Sequence, residues 1–174
     1  MTLTYVFHSC FVLETDKSIL IFDYWLDLNS VVPPFLKKDK PVYVFSSHFH
    51  EDHLNSVIFE WRTERAVRAE RSGKAERDED IDPIAHEKQY LGELKDIRKI
   101  TDSFDVVMFP IDGRIGNGYT LGGRQFIERF KVGLFVPMHF VASGFESSWR
   151  MKEFTDEKDI PFWEISREGE TIEI

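Results

Sequence analysis

Apolar residues come early in the chain and in short runs. They predict β-structure first, with strands near residues 3–14, 18–23 and 42–47, the last built on Val42-Tyr43-Val44-Phe45. Before that strand, Val31-Val32-Pro33-Pro34 and Lys37-Lys38-Asp39-Lys40-Pro41 form a connection whose prolines exclude a regular central strand. The pattern then turns helical. Residues 56–71 read as a helix with Val57, Ile58 and Trp61 facing inward, broken at Ser72-Gly73. Asp82-Pro83 supplies a cap and first-turn pair for the next helix, whose apolar stripe is Ile84, Leu91, Leu94 and Ile97, running down to Ile100. His86 falls at roughly 200° from Ile84 on the helical wheel and reads as an exposed polar residue.

The second half alternates strand and helix. Val106 to Phe109 predicts a strand, followed by a loop with Gly113, Gly116 and Gly118, a helix over 122–131 and a strand over 134–138. This is the βαβ grammar of a parallel pair, and the fold class is α/β. Residues 149–158 predict a final helix, with 162–165 and 171–174 as closing strands. Asp112 and His139 fall just beyond strand ends, where the sites of α/β sheets collect. The glycine loop lacks the Lys-Ser/Thr of a phosphate loop.

Composition narrows the picture. A chain of 174 residues supports one core of ordinary size, hence a single domain over 1–174. No window is apolar enough to span a bilayer, and Met1-Thr2-Leu3-Thr4 lacks a signal-peptide pattern, so a cytoplasmic location with no membrane partner is expected. The single cysteine, Cys10, excludes an internal disulfide and, among Phe7, Phe11 and Val12, reads as a buried small hydrophobe. A net charge of −9 argues against nucleic-acid binding. Arg62, Arg65, Arg68, Arg71, Lys74 and Arg77 are interleaved with Glu60, Glu64, Glu70 and Glu76. At spacings of three they spiral around a 3.6-residue helix and read as a solvated mixed-charge face.

The chemistry concentrates in Ser47-His48-Phe49-His50-Glu51-Asp52-His53, at the end of the third apolar run. Imidazole and carboxylate are ligands that Zn²⁺, Fe²⁺ and Mn²⁺ accept at neutral pH. On a strand His48 and His50 share a face and can bind one ion. Asp52 and His53, carried round the next turn, can reach a second. A metal site follows, and a dinuclear one is suggested.

His-x-His-x-Asp-His after a strand resembles the signature of the metallo-β-lactamase fold hydrolases, complete here at His48, His50, Asp52 and His53. The segment from Tyr5 to Glu14, then Ile19-Leu20-Ile21-Phe22-Asp23, resembles the first hairpin of the branch containing ascorbate-phosphate lactonase-like proteins. Phe104 to Phe109 with Pro110-Ile111-Asp112-Gly113, and Phe135-Val136-Pro137-Met138-His139-Phe140, resemble its later strands. The resemblance covers most of residues 1–60 and 80–174. It implies an αββα sandwich, makes His139 a further metal ligand, and puts His8 and Asp23 close to the metal pocket. Asp23 would accept the second ring proton of a ligating imidazole, or else serve as a strand-end turn carboxylate.

One departure stands out. Family members carry, between the motif and the later strands, a segment that supplies another His to the first metal and an Asp bridging both. Residues 62–81 offer only a charged run, as if the middle of the domain were deleted. The implied fold is therefore a shortened metallo-β-lactamase-like sandwich, whose exposed sheet edges invite pairing with a second copy as a homo-oligomer. His48 and His50 leave a first site with two ligands, while Asp52, His53 and His139 make a three-ligand site. Asp112 would have to replace the bridging carboxylate, although Asp beside Gly is ordinarily a turn residue.

The resemblance implies metal-dependent hydrolysis of an ester, lactone or phosphoester by a metal-activated water, which Asp52 would ligate and orient. Zn²⁺ is the expected ion, one or two per chain, with Mn²⁺ or Fe²⁺ as alternatives, and the partner is a small-molecule substrate. The missing segment keeps a second reading open, a non-catalytic module that retains the fold with a partial or absent metal site and acts in assembly or binding.

Overall fold

The structure is a computed structural model and describes residues 1–48, 50–63, 68–71, 83–141 and 144–174. The chain forms two compact units, Met1–Ala75 with Ile165–Ile174, and Glu76–Glu164.

The first unit is a six-stranded sheet in the order β5-β4-β3-β2-β1-β8. Its strands are β1 (Thr2–Phe7), β2 (Cys10–Glu14), β3 (Ile19–Phe22), β4 (Val42–Ser46), β5 (Arg68–Arg71) and β8 (Thr171–Glu173). The hairpins β1–β2 and β2–β3 are antiparallel, whereas β3–β4 and β4–β5 run parallel. Period-two alternation places Cys10 and Val12, Ile19 and Ile21, and Val42 and Val44 in one buried cluster. The register lines Val12, Ile21 and Val44 up across three strands. Each such aliphatic side chain stabilises the fold by about 1.5–3 kcal/mol on burial. Cys10 is fully buried, in keeping with its reading as a small hydrophobe. On the other face Phe22 stacks on Phe45 at 5.4 Å. The prolines after β3 start a short helix, α1 (Pro33–Leu36), rather than a strand.

Residues 56–71 are not one helix. They form a 3₁₀ helix over Ser56–Thr63 and then β5, which pairs with β4. Of the three residues expected to face inward, Ile58 is buried and Trp61 packs on its cluster and meets Tyr24 edge-on at 4.8 Å, whereas Val57 is only half-buried and is not part of that cluster. The misreading came from the charge of Arg68-Ala69-Glu70-Arg71, which an edge strand tolerates and which discourages pairing with another chain. The break at Ser72-Gly73, the cations at 65, 74 and 77, the cap Asp82, the side chain of His86 and most of the 62–81 segment lie outside the described residues.

The second unit holds α2 (Pro83–Arg98), β6 (Ser103–Pro110), α3 (Leu121–Ile127), β7 (Lys131–Met138) and α4 (Phe145–Asp156). Strands β6 and β7 are parallel and joined through α3, as the βαβ pattern predicts. Its core is aromatic: Phe126 lies 5.4 Å from Phe104 and 4.7 Å from Phe130, with Leu94 of α2 and Met151 of α4 buried in the same cluster. Ile100 is 87% exposed because α2 stops at Arg98, before the stripe would reach it. No strand forms over 162–165. A single bridge joins Phe162 to Phe135, framed by Phe135 N donating to Pro161 O (2.8 Å) and Trp163 N donating to Phe135 O (3.0 Å). Among the described residues β6 pairs only with β7, and no described helix is long and apolar enough to cross a membrane.

Gly133 in β7 lies against β6 so closely that a Cβ there would meet Asp105 O at 2.6 Å, a backbone atom that cannot swing aside. Gly133→Ala is expected to destabilise the fold by about 1–3 kcal/mol through overpacking. Gly118→Ala, with open space around it, should leave the urea midpoint nearly unchanged, and paired denaturation curves check both.

Candidate metal centre

In the first unit the motif leaves β4 and turns at once. Ser46 Oγ donates to His48 O (2.7 Å), with His53 O at 3.3 Å from the same hydroxyl, closing the turn, and His53 N donates to His50 O (3.0 Å). Asp23, one residue beyond β3, faces this turn from the neighbouring strand. Its Oδ1 accepts from Ser47 N (2.6 Å), and its Oδ2 accepts from Ser47 Oγ (2.9 Å) and from His53 Nδ1 (2.9 Å). Asp23 and His53 are both buried. A carboxylate on Nδ1 fixes the ring and turns Nε2 towards whatever the site binds, the usual support of a ligating imidazole.

Asp52 Oδ2 lies 3.8 Å from His53 Nε2 and 3.2 Å from His8 Nε2. His8, Asp52 and His53 each offer a ligand atom within 4.8 Å of the others. Burial pushes the Asp52 carboxyl up, but the neighbouring His53 and the hydrogen bond to His8 outweigh it and hold it below the usual carboxylate range. It is therefore ionised at neutral pH, the form that binds a cation.

His48 and His50 form a second grouping, nearer the surface. His48 Nε2 and His50 Nδ1 are 3.0 Å apart, but both residues lie beyond Ser46, where β4 ends, so the strand alternation expected from the sequence is not what brings the rings together. The His48 ring centroid is 4.0 Å from that of His53. Burial, then the neighbouring His53 and His50, hold His48 below the usual imidazole value, favouring the neutral ligand form. Imidazole nitrogens beside one ionised carboxylate fit a borderline divalent ion such as Zn²⁺.

In the second unit His139 follows β7 with a left-handed φ of 65°, and its Nδ1 donates to Asp112 Oδ2 (3.1 Å). Arg114 reaches both Asp112 oxygens, through Nε (2.9 and 3.0 Å) and Nη2 (2.6 Å), while Arg114 N donates to Oδ1 (3.0 Å). Asp112 thus caps the 3₁₀ turn Gly113–Ile115 and orients His139. Both its oxygens are engaged within its own unit, which is the turn chemistry of Asp before Gly. Burial pushes the Asp112 carboxyl up, but Arg114 and then His139 bring it down to about 2.

Sequence reasoning pointed to His48, His50, Asp52 and His53 and left Asp23 as either an acceptor for a ring proton or a turn carboxylate; its contacts to His53 Nδ1 and to Ser47 N and Oγ combine the two. The same reasoning gave His8 no ligand role, because a lone His after an apolar strand carries no local signal beyond its place in the hairpin.

No protein-family model matches the chain. Over 58 residues it is 40% identical to a UPF0173 metal-dependent hydrolase of Desulforamulus reducens, a match covering 33% of this chain and 25% of that protein. The match thus spans a quarter of that curated relative. A metallo hydrolase from the hyperthermophilic archaeon Ignicoccus hospitalis superposes with a TM-score of 0.58 at 17% identity, covering 98% of this chain and 97% of that one. The chain has a metallo-β-lactamase-like mixed α/β fold.

Asp112→Asn should destabilise the second unit by about 1–2 kcal/mol at neutral pH, since the Arg114 partner is half exposed and stays solvated. The folded value of about 2 lies below the unfolded value of about 3.9. The contribution is therefore complete above the unfolded value and is lost as pH falls towards the folded one. Urea curves of the two proteins at pH 7 and at pH 2 should differ in the first case and converge in the second.

Proposed function

We propose that the chain is a metal-dependent hydrolase of an ester, lactone or phosphoester, with its ion held by the residues of the His48–His53 turn. The observation that carries this reading is the buried His53, clamped through Nδ1 by Asp23 with the ionised Asp52 beside its Nε2. A divalent ion held there supplies Lewis acidity and lowers the pKa of water towards neutrality. The protein's own part is positional. Asp23 keeps His53 in one tautomer, Asp52 offers a negative oxygen to the ion or to the proton of a bound water, and His48 and His50 present two convergent nitrogens at the surface. His139 enters the ligand set on its sequence context, supported by the carboxylate on its Nδ1. Zn²⁺ suits this donor set, and Mn²⁺ or Fe²⁺ would be accepted. The lactonase-like branch, with a small phosphorylated lactone or ester as substrate, is the finer reading.

The second reading, a fold-retaining module without turnover, draws on Asp112. That carboxylate is committed to Arg114 and His139, which speaks against its service as a bridge between two ions. A single well-held ion is then the more economical arrangement.

Full-length protein purified without chelator should carry metal by elemental analysis and hydrolyse at least one of p-nitrophenyl acetate, bis-p-nitrophenyl phosphate or a simple lactone. His53→Ala and Asp52→Asn should lower that rate about 100-fold or more. Asp23→Asn, which leaves the ligand in place but loosens it, should weaken Zn²⁺ binding about 10–100-fold. Metal bound without turnover on any of these esters would favour the module, and wild type that binds no metal would overturn both the hydrolase and the site.

A further inference from the structure

His8 stands outside the motif, yet the fold spends strain to place it. It adopts φ 55°, a left-handed conformation that costs a non-glycine residue roughly 1 kcal/mol or more. The buried Tyr5 holds it there, its hydroxyl accepting from His8 N at 2.9 Å. The Trp25 ring lies against the His8 ring, centroids 5.6 Å apart at 68°. The imidazole is itself buried and directs Nε2 at Asp52 Oδ2, 3.2 Å away.

These distances have the scale of a coordination sphere. Two ligands on a tetrahedral zinc, each bonded at about 2.0–2.1 Å, lie roughly 3.3 Å from each other. His8 Nε2 is 3.2 Å and His53 Nε2 is 3.8 Å from the shared oxygen of Asp52. Three protein ligands are what a catalytic zinc usually has. We propose that His8 is itself a metal ligand, bringing to three, with Asp52 and His53, the donors that the first unit supplies. The first hairpin would thereby supply an imidazole to a site whose usual donor segment is missing from the sequence. The proposal rests on the reading of the motif as a metal centre.

The competing explanation is that His8 only hydrogen-bonds Asp52. Two variants of the full chain separate the explanations. His8→Gly removes the ring and suits the left-handed backbone, so it should fold, and it leaves space that free imidazole can fill. His8→Gln keeps a hydrogen-bond donor for Asp52 but is a poor ligand. Zn²⁺ affinity, measured by competition with a chromophoric chelator, should fall more than about 100-fold in both variants, beyond the range expected for an outer-sphere partner. Added imidazole should restore it in His8→Gly alone, while thermal melts of the metal-free proteins stay close to wild type. Wild-type affinity in either variant would overturn the assignment, and so would failure of imidazole to rescue a folded His8→Gly. A chain in which His53→Ala also kept full affinity would instead defeat the underlying reading of the motif.

Discussion

A carboxylate removed from water must find partners for its oxygens, and Asp23 meets that demand by reaching across from β3 to the turn that leaves β4. Its oxygens take the Ser47 N–H, the Ser47 hydroxyl and the His53 ring proton, while its own N–H donates to Phe45 O at 2.8 Å. Leaving such a buried carboxylate without partners costs several kcal/mol, which these contacts offset. The parallel pairing of β3 with β4 sets the register that makes them possible. From this one group follow the path of the turn, the tautomer of His53 and the direction in which Nε2 points.

The motif consequently divides into two environments. His53 is buried and His8 beside it is buried too, each with a carboxylate on one nitrogen. His48 and His50 sit nearer solvent and face each other. A buried, pre-oriented donor set loses little freedom when it binds an ion, whereas an exposed pair must be ordered by it. This asymmetry favours the inner group as the higher-affinity site, with the outer pair as the weaker partner.

Much of this was legible in the residues because it rests on strong local signals. Apolar runs marked β1 to β4, Asp82-Pro83 and its stripe marked α2, and the strand–helix–strand pattern marked the parallel β6–β7 pair. The motif was legible because its residue types have few other uses at such spacing, whereas Asp23 came in through the family resemblance, with a turn role open beside it. The illegible parts depend on tertiary context. Strand β5 carries charges that mimic a helix surface, and its strand character comes from the β4 edge it pairs with. Phe162 to Ile165 reads as a strand by composition but, among the described residues, makes one bridge, to Phe135. His8 announces nothing locally, for its role comes from a backbone conformation and from Asp52, 44 positions away.

The most direct test is a long-range ¹H–¹⁵N spectrum of the histidine side chains, recorded on metal-free full-length protein and again after one equivalent of Zn²⁺. Coordination through His53 requires its Nε2 resonance to move to a metal-bound position while Nδ1 keeps its proton, held by Asp23. A His53 ring whose nitrogen resonances ignore the added zinc would contradict it.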